Sequence, residues 1–197
     1  MTDLRERVVH AAVELFAEQG YDATSVTEIV QRAGVAKGAL YHHFASKDDL
    51  LYEVYAGLVE RQLTGLKEIL GRGLSPQDTL RAVIEDMVVT TAGRSAEAKV
   101  FFREGHRLSD ANQKRVRQAR REIHQAVIDL VARAQAEGRF AAVASPEMVS
   151  FTVFGVINEL PTWYHPSGRK SPTKLATELA DLVLAGLQNP LTGKADR

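Results

Sequence analysis

The chain of 197 residues contains no cysteine, which excludes disulfides, thiolate zinc sites, cysteine nucleophiles and cysteine-ligated iron–sulfur clusters. It also lacks any run of 18 apolar residues, and its first ten residues carry charges where a secretory signal needs an apolar stretch. We therefore expect a soluble, cytoplasmic protein without a membrane segment.

The chain has no excess charge of either sign, because 25 Lys and Arg balance 25 Asp and Glu. The chain therefore lacks the overall excess of positive charge that is typical of many nucleic-acid-binding proteins. With 45% hydrophobic and 25% charged residues, the composition is that of a globular protein with a sizeable core.

The common catalytic motifs are also missing. The sequence contains no GxSxG, no P-loop, no HExxH and no GxGxxG. The neighbouring His42 and His43 have no second pair four residues away, and adjacent helical side chains diverge by about 100°. We expect no enzyme, no catalytic residue, no metal site and no cofactor.

Apolar residues recur at helical spacing along nearly the whole chain, and no segment alternates with a period of two. This pattern predicts an all-α protein with about nine helices. Gly20 is predicted to end the first helix in a left-handed cap, and Pro161 to kink or end a later helix. Residues 189–197 are predicted to form a frayed tail.

Two short helices are predicted near the amino terminus. Ser25 to Glu28 has the pattern of a capping box that opens the first, and Gly34 ends it. In the second, Leu40 and Phe44 share one face, and a further capping box at residues 46–49 opens a long helix. This arrangement is typical of a helix-turn-helix, whose second helix enters the DNA major groove. An ordinary helical hairpin is the alternative.

The run from Gly20 to Leu51, GYDATSVTEIVQRAGVAKGALYHHFASKDDLL, resembles the DNA-binding region of TetR-type transcriptional repressors. Their pattern has a threonine-rich segment, an AGV turn, a Tyr and Phe recognition segment and a Ser-Lys-x-x-Leu in this order. The resemblance implies a three-helix DNA-binding domain at 1–48 and a helical ligand-binding and dimerisation domain at 49–197. It also implies a repressor that a small-molecule ligand releases from double-stranded operator DNA.

The candidate DNA-binding residues lie at the start of the first short helix, along the second short helix and at the start of the long helix that follows. Hydroxyls at a helix N-terminus favour phosphate, and the first residues of a recognition helix approach base edges. The resemblance further suggests that Tyr41 and Lys47 bind backbone phosphates. The predicted set is Ser25, Thr27, Lys37, Gly38, Ala39, Tyr41, His42 and Lys47. Alternatives remain: Ser25 as a cap, Tyr41 as packing and the histidines as a solvated face.

The first 50 residues carry five basic and eight acidic side chains. Electrostatic attraction to DNA should therefore be modest, and hydroxyl, amide and helix-dipole contacts should carry more of the binding.

The strongest local charge lies at residues 100–125, with seven basic and three acidic side chains. It is interpreted either as a solvated helix face or as an anion site for a ligand or for more nucleic acid. Together with residues 160–168, this segment resembles TetR-type regulators of fatty-acid or steroid breakdown that sense acyl-CoA thioesters. Phosphate binds arginine well, so Arg117, Arg120, Arg121 and Trp163 are the predicted ligand residues. A neutral hydrophobic inducer is the alternative.

Two helices near the carboxyl terminus are richer in apolar residues than one buried face requires. Residues 146–162 and 172–188 are therefore predicted to form a homodimer interface, with Phe154 and Leu179 as contacts. The alternative function, from a different class, is a helical lipid or acyl-group carrier that does not bind DNA.

Overall fold

The computed structural model describes residues 3–165 and 167–188, and in these ranges it confirms the all-α prediction. They form nine α-helices and one 3-10 turn at Gly105–Arg107, without a strand. The helices are α1 (Leu4–Gln19), α2 (Val26–Ala33), α3 (Lys37–His43), α4 (Lys47–Leu70), α5 (Pro76–Gly93), α6 (Ser95–Glu104), α7 (Asp110–Ala136), α8 (Pro146–Trp163) and α9 (Pro172–Gln188). None of the described helices is long and apolar enough to cross a membrane.

The helices group into two compact units. The first runs up to Glu60 and includes Arg94–Ala119, and the second holds Arg61–Gly93 and the chain from Arg120 onward. Two of the three boundaries lie inside a helix, one in α4 and the other in α7, and the third lies between α5 and α6. The predicted functional division between residues 48 and 49 stays a prediction.

In the first unit, α1 packs against α2, α3 and α6. The apolar stripe of α1 is buried, as its helical spacing predicts, and Phe16 is 1% exposed. Ile29 of α2 and Leu40 of α3 are also buried. The Tyr55 hydroxyl of α4 donates to the carbonyls of Val100 and Phe101 at 3.0 and 2.5 Å. Burial raises the pKa of Tyr55 far above its ordinary value, so this group remains a donor.

In the second unit, α5 packs against α9 and α8. Leu80, Val83 and Ile84 of α5 are fully buried there. Ser145 caps α8 by accepting from the amide of Met148, and Pro146 stands in the first turn, where its missing N–H costs nothing. These local signals explain why α8 begins where the sequence predicts.

Two predicted helix ends differ in the structure. Gly20 has φ 88° and ψ 166°, which is a glycine conformation but not the left-handed cap that was predicted. The extended ψ directs the chain into the following link, where the Thr24 hydroxyl donates to the Gly20 carbonyl. Pro161 does not end α8, which continues to Trp163, because the Tyr164 amide closes the last turn on the Leu160 carbonyl at 2.8 Å.

Two side chains of the predicted dimer interface lie on the inward faces of their helices. Phe154 and Leu179 were expected at a dimer interface, yet each is buried by its own chain, at 5% and 8% exposure. The helices that carry them, α8 and α9, also contribute side chains to the core of the second unit. The periodicity of the sequence alone does not show which apolar side chains face that core. The predicted tail at 189–197 lies outside the described residues.

Candidate nucleic-acid interface

The start of α2 is closed by the predicted capping box, which the structure confirms. Ser25 Oγ accepts from the Glu28 amide at 3.2 Å, and the Glu28 carboxylate accepts from the Ser25 amide at 2.7 Å. The bond from the Ser25 amide lowers the pKa of Glu28, so this carboxylate stays charged. Ser25 is therefore a cap, and both Ser25 and Thr27 remain exposed for a further partner.

The turn between α2 and α3 is built on Gly34. Its φ of 62° and ψ of 42° are the left-handed conformation that glycine adopts without strain. The Gly34 amide donates to the Gln31 and Val30 carbonyls, and the Val35 amide donates to the Val30 carbonyl at 3.0 Å. Arg7 of α1 donates to the carbonyls of Ala33 and Gly34, at 2.5 and 2.8 Å.

Helix α3 presents most of the predicted base-reading and phosphate-binding side chains to solvent. Leu40 is 1% exposed and anchors the helix, whereas Tyr41 is 48% exposed. Lys37, Gly38 and His42 are exposed, and Ala39 is half-buried. A β-carbon at Gly38 would meet no atom within 4 Å, so a partner can approach the backbone there. The exposed residues are therefore accessible to the base edges and phosphates of a duplex.

Lys47 has a role inside the unit that the sequence did not predict. Its ammonium group donates to the carbonyls of Tyr21 and Thr24 at 2.8 and 2.9 Å. It also lies 4.1 Å from the centre of the Tyr21 ring. These contacts join the start of α4 to the link before α2. The predicted contact between Lys47 and phosphate stays a prediction, for which the ammonium retains one of its three donors.

Most cations of the first 50 residues are engaged within the protein. Arg7 and Lys47 bond to carbonyls, Arg5 pairs with Glu53, and Arg32 pairs with carboxylates of α1. Lys37 is exposed at the first position of α3. It is thus the cation of this segment most available to DNA.

Residues 94–119 contribute contacts to this unit that sequence reasoning missed. The Asp48 carboxylate accepts from the Ser109 amide at 3.0 Å and from the Asn112 side chain at 2.9 Å. Arg107 pairs with Asp22 at 2.6 Å. These partners lie more than 60 residues apart in the chain, and no local sequence signal indicates such pairs.

The predicted ligand residues lie on α7 and at the end of α8. Arg117 and Arg121 are exposed, and Arg117 donates to Gln113 one turn earlier at 3.0 Å. Arg120 is more buried, and this burial lowers the pKa of its guanidinium. Trp163, the last residue of α8, is 47% exposed. The alternative interpretation of α7, a basic face exposed to solvent, therefore agrees with the exposure of Arg121 better than with the burial of Arg120.

A second polar feature, unnoticed in the sequence, lies between α7 and α8. His124 Nδ1 is 3.0 Å from the hydroxyl of Ser150, which is fully buried. The ring of Phe154 lies 4.4 Å from the His124 ring, centre to centre. Burial lowers the pKa of His124, and the nearby Arg120 lowers it further. The imidazole is therefore neutral at pH 7.

Two family models match this chain. "Bacterial regulatory proteins, tetR family" matches residues 8–54, and "Tetracyclin repressor-like, C-terminal domain" matches residues 73–187. The chain belongs to the TetR family. This TetR-family protein is a DNA-binding transcriptional regulator and not an enzyme. The family assignment also favours a regulator over the alternative of a helical carrier.

Relatives of this TetR-family regulator include proteins of known name. It is 27% identical to the HTH-type transcriptional repressor KstR2 of Mycolicibacterium smegmatis, over 93% of this chain and 90% of that protein. It is 23% identical to the fatty acid metabolism regulator protein of Bacillus subtilis, over 93% of this chain and 95% of that one. The second name agrees with the resemblance to regulators of fatty-acid metabolism.

A solved structure shares the fold over most of this chain. AibR in complex with isovaleryl coenzyme A and operator DNA matches with a TM-score of 0.81. The match covers 96% of this chain and 100% of that chain, at 20% sequence identity.

Proposed function

We propose that this regulator binds a palindromic operator as a homodimer and is released from it by a small molecule of the acyl-CoA class. The observation that carries the proposal is the geometry of α3, which buries Leu40 and presents Lys37 and Tyr41 to solvent in a TetR-family DNA-binding unit. A regulator of this kind acts in the cytoplasm, where the DNA is.

The DNA contacts divide into two classes. Lys37, Gly38 and Ala39 stand at the start of α3 and are assigned to base edges, with Lys37 donating to guanine acceptors. Phosphates are assigned to the remaining predicted residues, which are Ser25, Thr27, Tyr41, His42 and Lys47. Loss of a base contact should alter sequence preference at a cost of about 1–3 kcal/mol, whereas loss of a phosphate contact should weaken all sequences alike.

The dimer is assigned to the exposed apolar side chains of α8 and α9. Met148 and Phe151 are 56% and 60% exposed, and Leu182 is 73% exposed. Side chains of this size on adjacent turns of solvent-facing helices are typical of subunit interfaces. A pair of subunits also supplies the two recognition helices that a palindrome requires.

The effector is assigned to the second unit and the basic helix α7. AibR, which shares the fold, is bound to isovaleryl coenzyme A in its structure. A CoA thioester has a phosphate-rich head, and we propose that Arg117, Arg120 and Arg121 bind it and that Trp163 also contacts the ligand. Release then follows from thermodynamic linkage. In one conformation of the dimer the two recognition helices match the operator half-sites, and in the other they do not. A ligand that binds the second conformation more tightly lowers operator affinity, by at most the ratio of its affinities for the two conformations.

The contacts of Asp48 support a coupling route within the first unit. Helices α4 and α7 both cross the boundary between the units, and Asp48 of α4 is bonded to Ser109 and Asn112 where α7 begins. A ligand-dependent change in α7 would therefore act on the N-terminus of α4, which follows α3 directly in the chain.

The DNA proposal is tested by selecting duplexes from a random library on the purified protein. Lys37→Ala should weaken binding to the selected duplex and alter its preferred sequence. Lys174→Ala removes the same charge from the exposed face of α9 and should have no effect. Unchanged mobility shifts for Lys37→Ala and Tyr41→Phe, with circular dichroism intact, would contradict the assigned contacts.

The effector proposal is tested by calorimetry with a panel of CoA thioesters and the matching free acids. Thioesters should bind more tightly and reduce operator binding, and Arg121→Gln should weaken them. Arg133→Gln, a matched loss of charge from the last turn of α7, should not. If free acids bind as tightly as thioesters, the basic helix has no role in recognition.

A further inference from the structure

Helix α3 depends on its connection to α2 for its orientation. It has seven residues, and Leu40 is the single buried residue within it. Its N-cap residue, Ala36, makes no side-chain capping bond. Packing and capping therefore constrain α3 less than they constrain the longer helices, and the turn of residues 34–36 must define the direction in which it leaves α2.

Arg7 holds this turn from outside the helix-turn-helix. One guanidinium nitrogen donates to both the Ala33 and Gly34 carbonyls, at 2.5 and 2.8 Å. Those carbonyls belong to successive peptide planes, the last of α2 and the first of the turn. The neighbouring Val30 and Gln31 carbonyls already accept from the Gly34 amide. The side chain of Arg7 thus bonds the two carbonyls at which the chain leaves α2.

The environment of Arg7 agrees with this role. A β-carbon at Gly34 would lie 3.1 Å from Arg7 Nη2, so the guanidinium lies directly against the turn. Hydrogen bonds from a charged donor to a carbonyl are stronger than neutral ones and fix geometry better. The residue is a cation on α1, the helix that packs on both α2 and α3.

We infer that Arg7 is a positioning residue for sequence recognition: it orients α3 through the turn and does not itself bind phosphate. The inference rests on the proposed DNA-binding function. It predicts a specific signature, because a misoriented α3 loses base contacts while the phosphate contacts and their released counterions remain.

The test compares Arg7→Met with Arg5→Met, which removes the same charge from the same helix but from an ion pair with Glu53. The probes are the duplex selected by the wild type and a scrambled duplex of the same composition, each titrated over a range of salt concentrations. Arg7→Met should lose about tenfold in affinity for the selected duplex. Its affinity for the scrambled duplex and its salt slope should not change. Arg5→Met should keep the wild-type ratio between the two duplexes.

Other outcomes overturn the inference. Equal losses on both duplexes with a salt slope smaller by about 0.9 per subunit would make Arg7 a phosphate ligand. Wild-type discrimination by Arg7→Met would remove its role altogether. If Arg7→Met does not fold, Arg7→Lys is used instead. This variant retains the charge, so its affinity for the scrambled duplex and its salt slope must stay at the wild-type values. Its preference for the selected duplex over the scrambled duplex must fall. Failure of the wild type to select any sequence would instead refute the proposed function.

Discussion

The salt dependence of operator binding should be unusually small for a DNA-binding protein, and Lys47→Ala should nearly abolish it. The proposed phosphate contacts around α2 and α3 include three neutral hydroxyls, those of Ser25, Thr27 and Tyr41, while four of the five cations before residue 50 are bonded within the protein. Lys37 is left as the exposed cation at the start of α3. Because Lys37 is assigned to a base edge, Lys47 is the cation of this set that is assigned to a phosphate. With one Lys47 in each subunit and a slope of about −0.9 per neutralised phosphate, the slope of log K against log salt should be about −1.8.

This slope corresponds to a loss of about tenfold in affinity between 50 and 200 mM salt, against about 10³–10⁵ for proteins with six to ten phosphate contacts. Fluorescence anisotropy with the selected duplex over that range measures it. Lys47→Ala should bring the slope close to zero, and Lys37→Ala should alter sequence preference with little change in the slope. A wild-type slope steeper than about −5 would refute the reasoning, because cations such as Lys114 or Arg117 would then have to lie on the DNA.

Three further predictions concern stability and are checked by thermal or urea unfolding. Tyr55→Phe should cost about 1–3 kcal/mol, because two carbonyls of α6 lose a buried donor; no loss would mean that water replaces it. Gly34→Ala should cost roughly 1–2 kcal/mol, since alanine is strained at positive φ, whereas Gly38→Ala, which meets no atom, should not destabilise. The lowered pKa of His124 means that the unfolded chain binds its proton more readily, so stability should fall as pH drops through 6.5. In a His124→Gln variant this part of the pH dependence should disappear, and its persistence would assign it to another group.

The helices and their ends were determined largely by the sequence itself. Helical periodicity predicted an all-α chain of about nine helices, because an amphipathic stripe has to be buried wherever it occurs. Capping residues such as Ser25 and Ser145 act within three residues of themselves, so their effect is visible locally. The helix-turn-helix could be predicted for the same reason: its turn, its caps and its exposed face all lie within one short segment.

Tertiary structure alone decided which polar and apolar side chains are exposed and free to bind a partner. Phe154 and Phe151 are both apolar residues of α8, yet one is core and the other is 60% exposed, since a neighbouring helix covers only one face. The cations Arg7, Lys37 and Lys47 look alike in the sequence. They differ because carbonyls up to 27 residues away lie within reach of two of them and not of the third. Pairing between distant segments depends on how helices pack, and local sequence patterns carry no information about it.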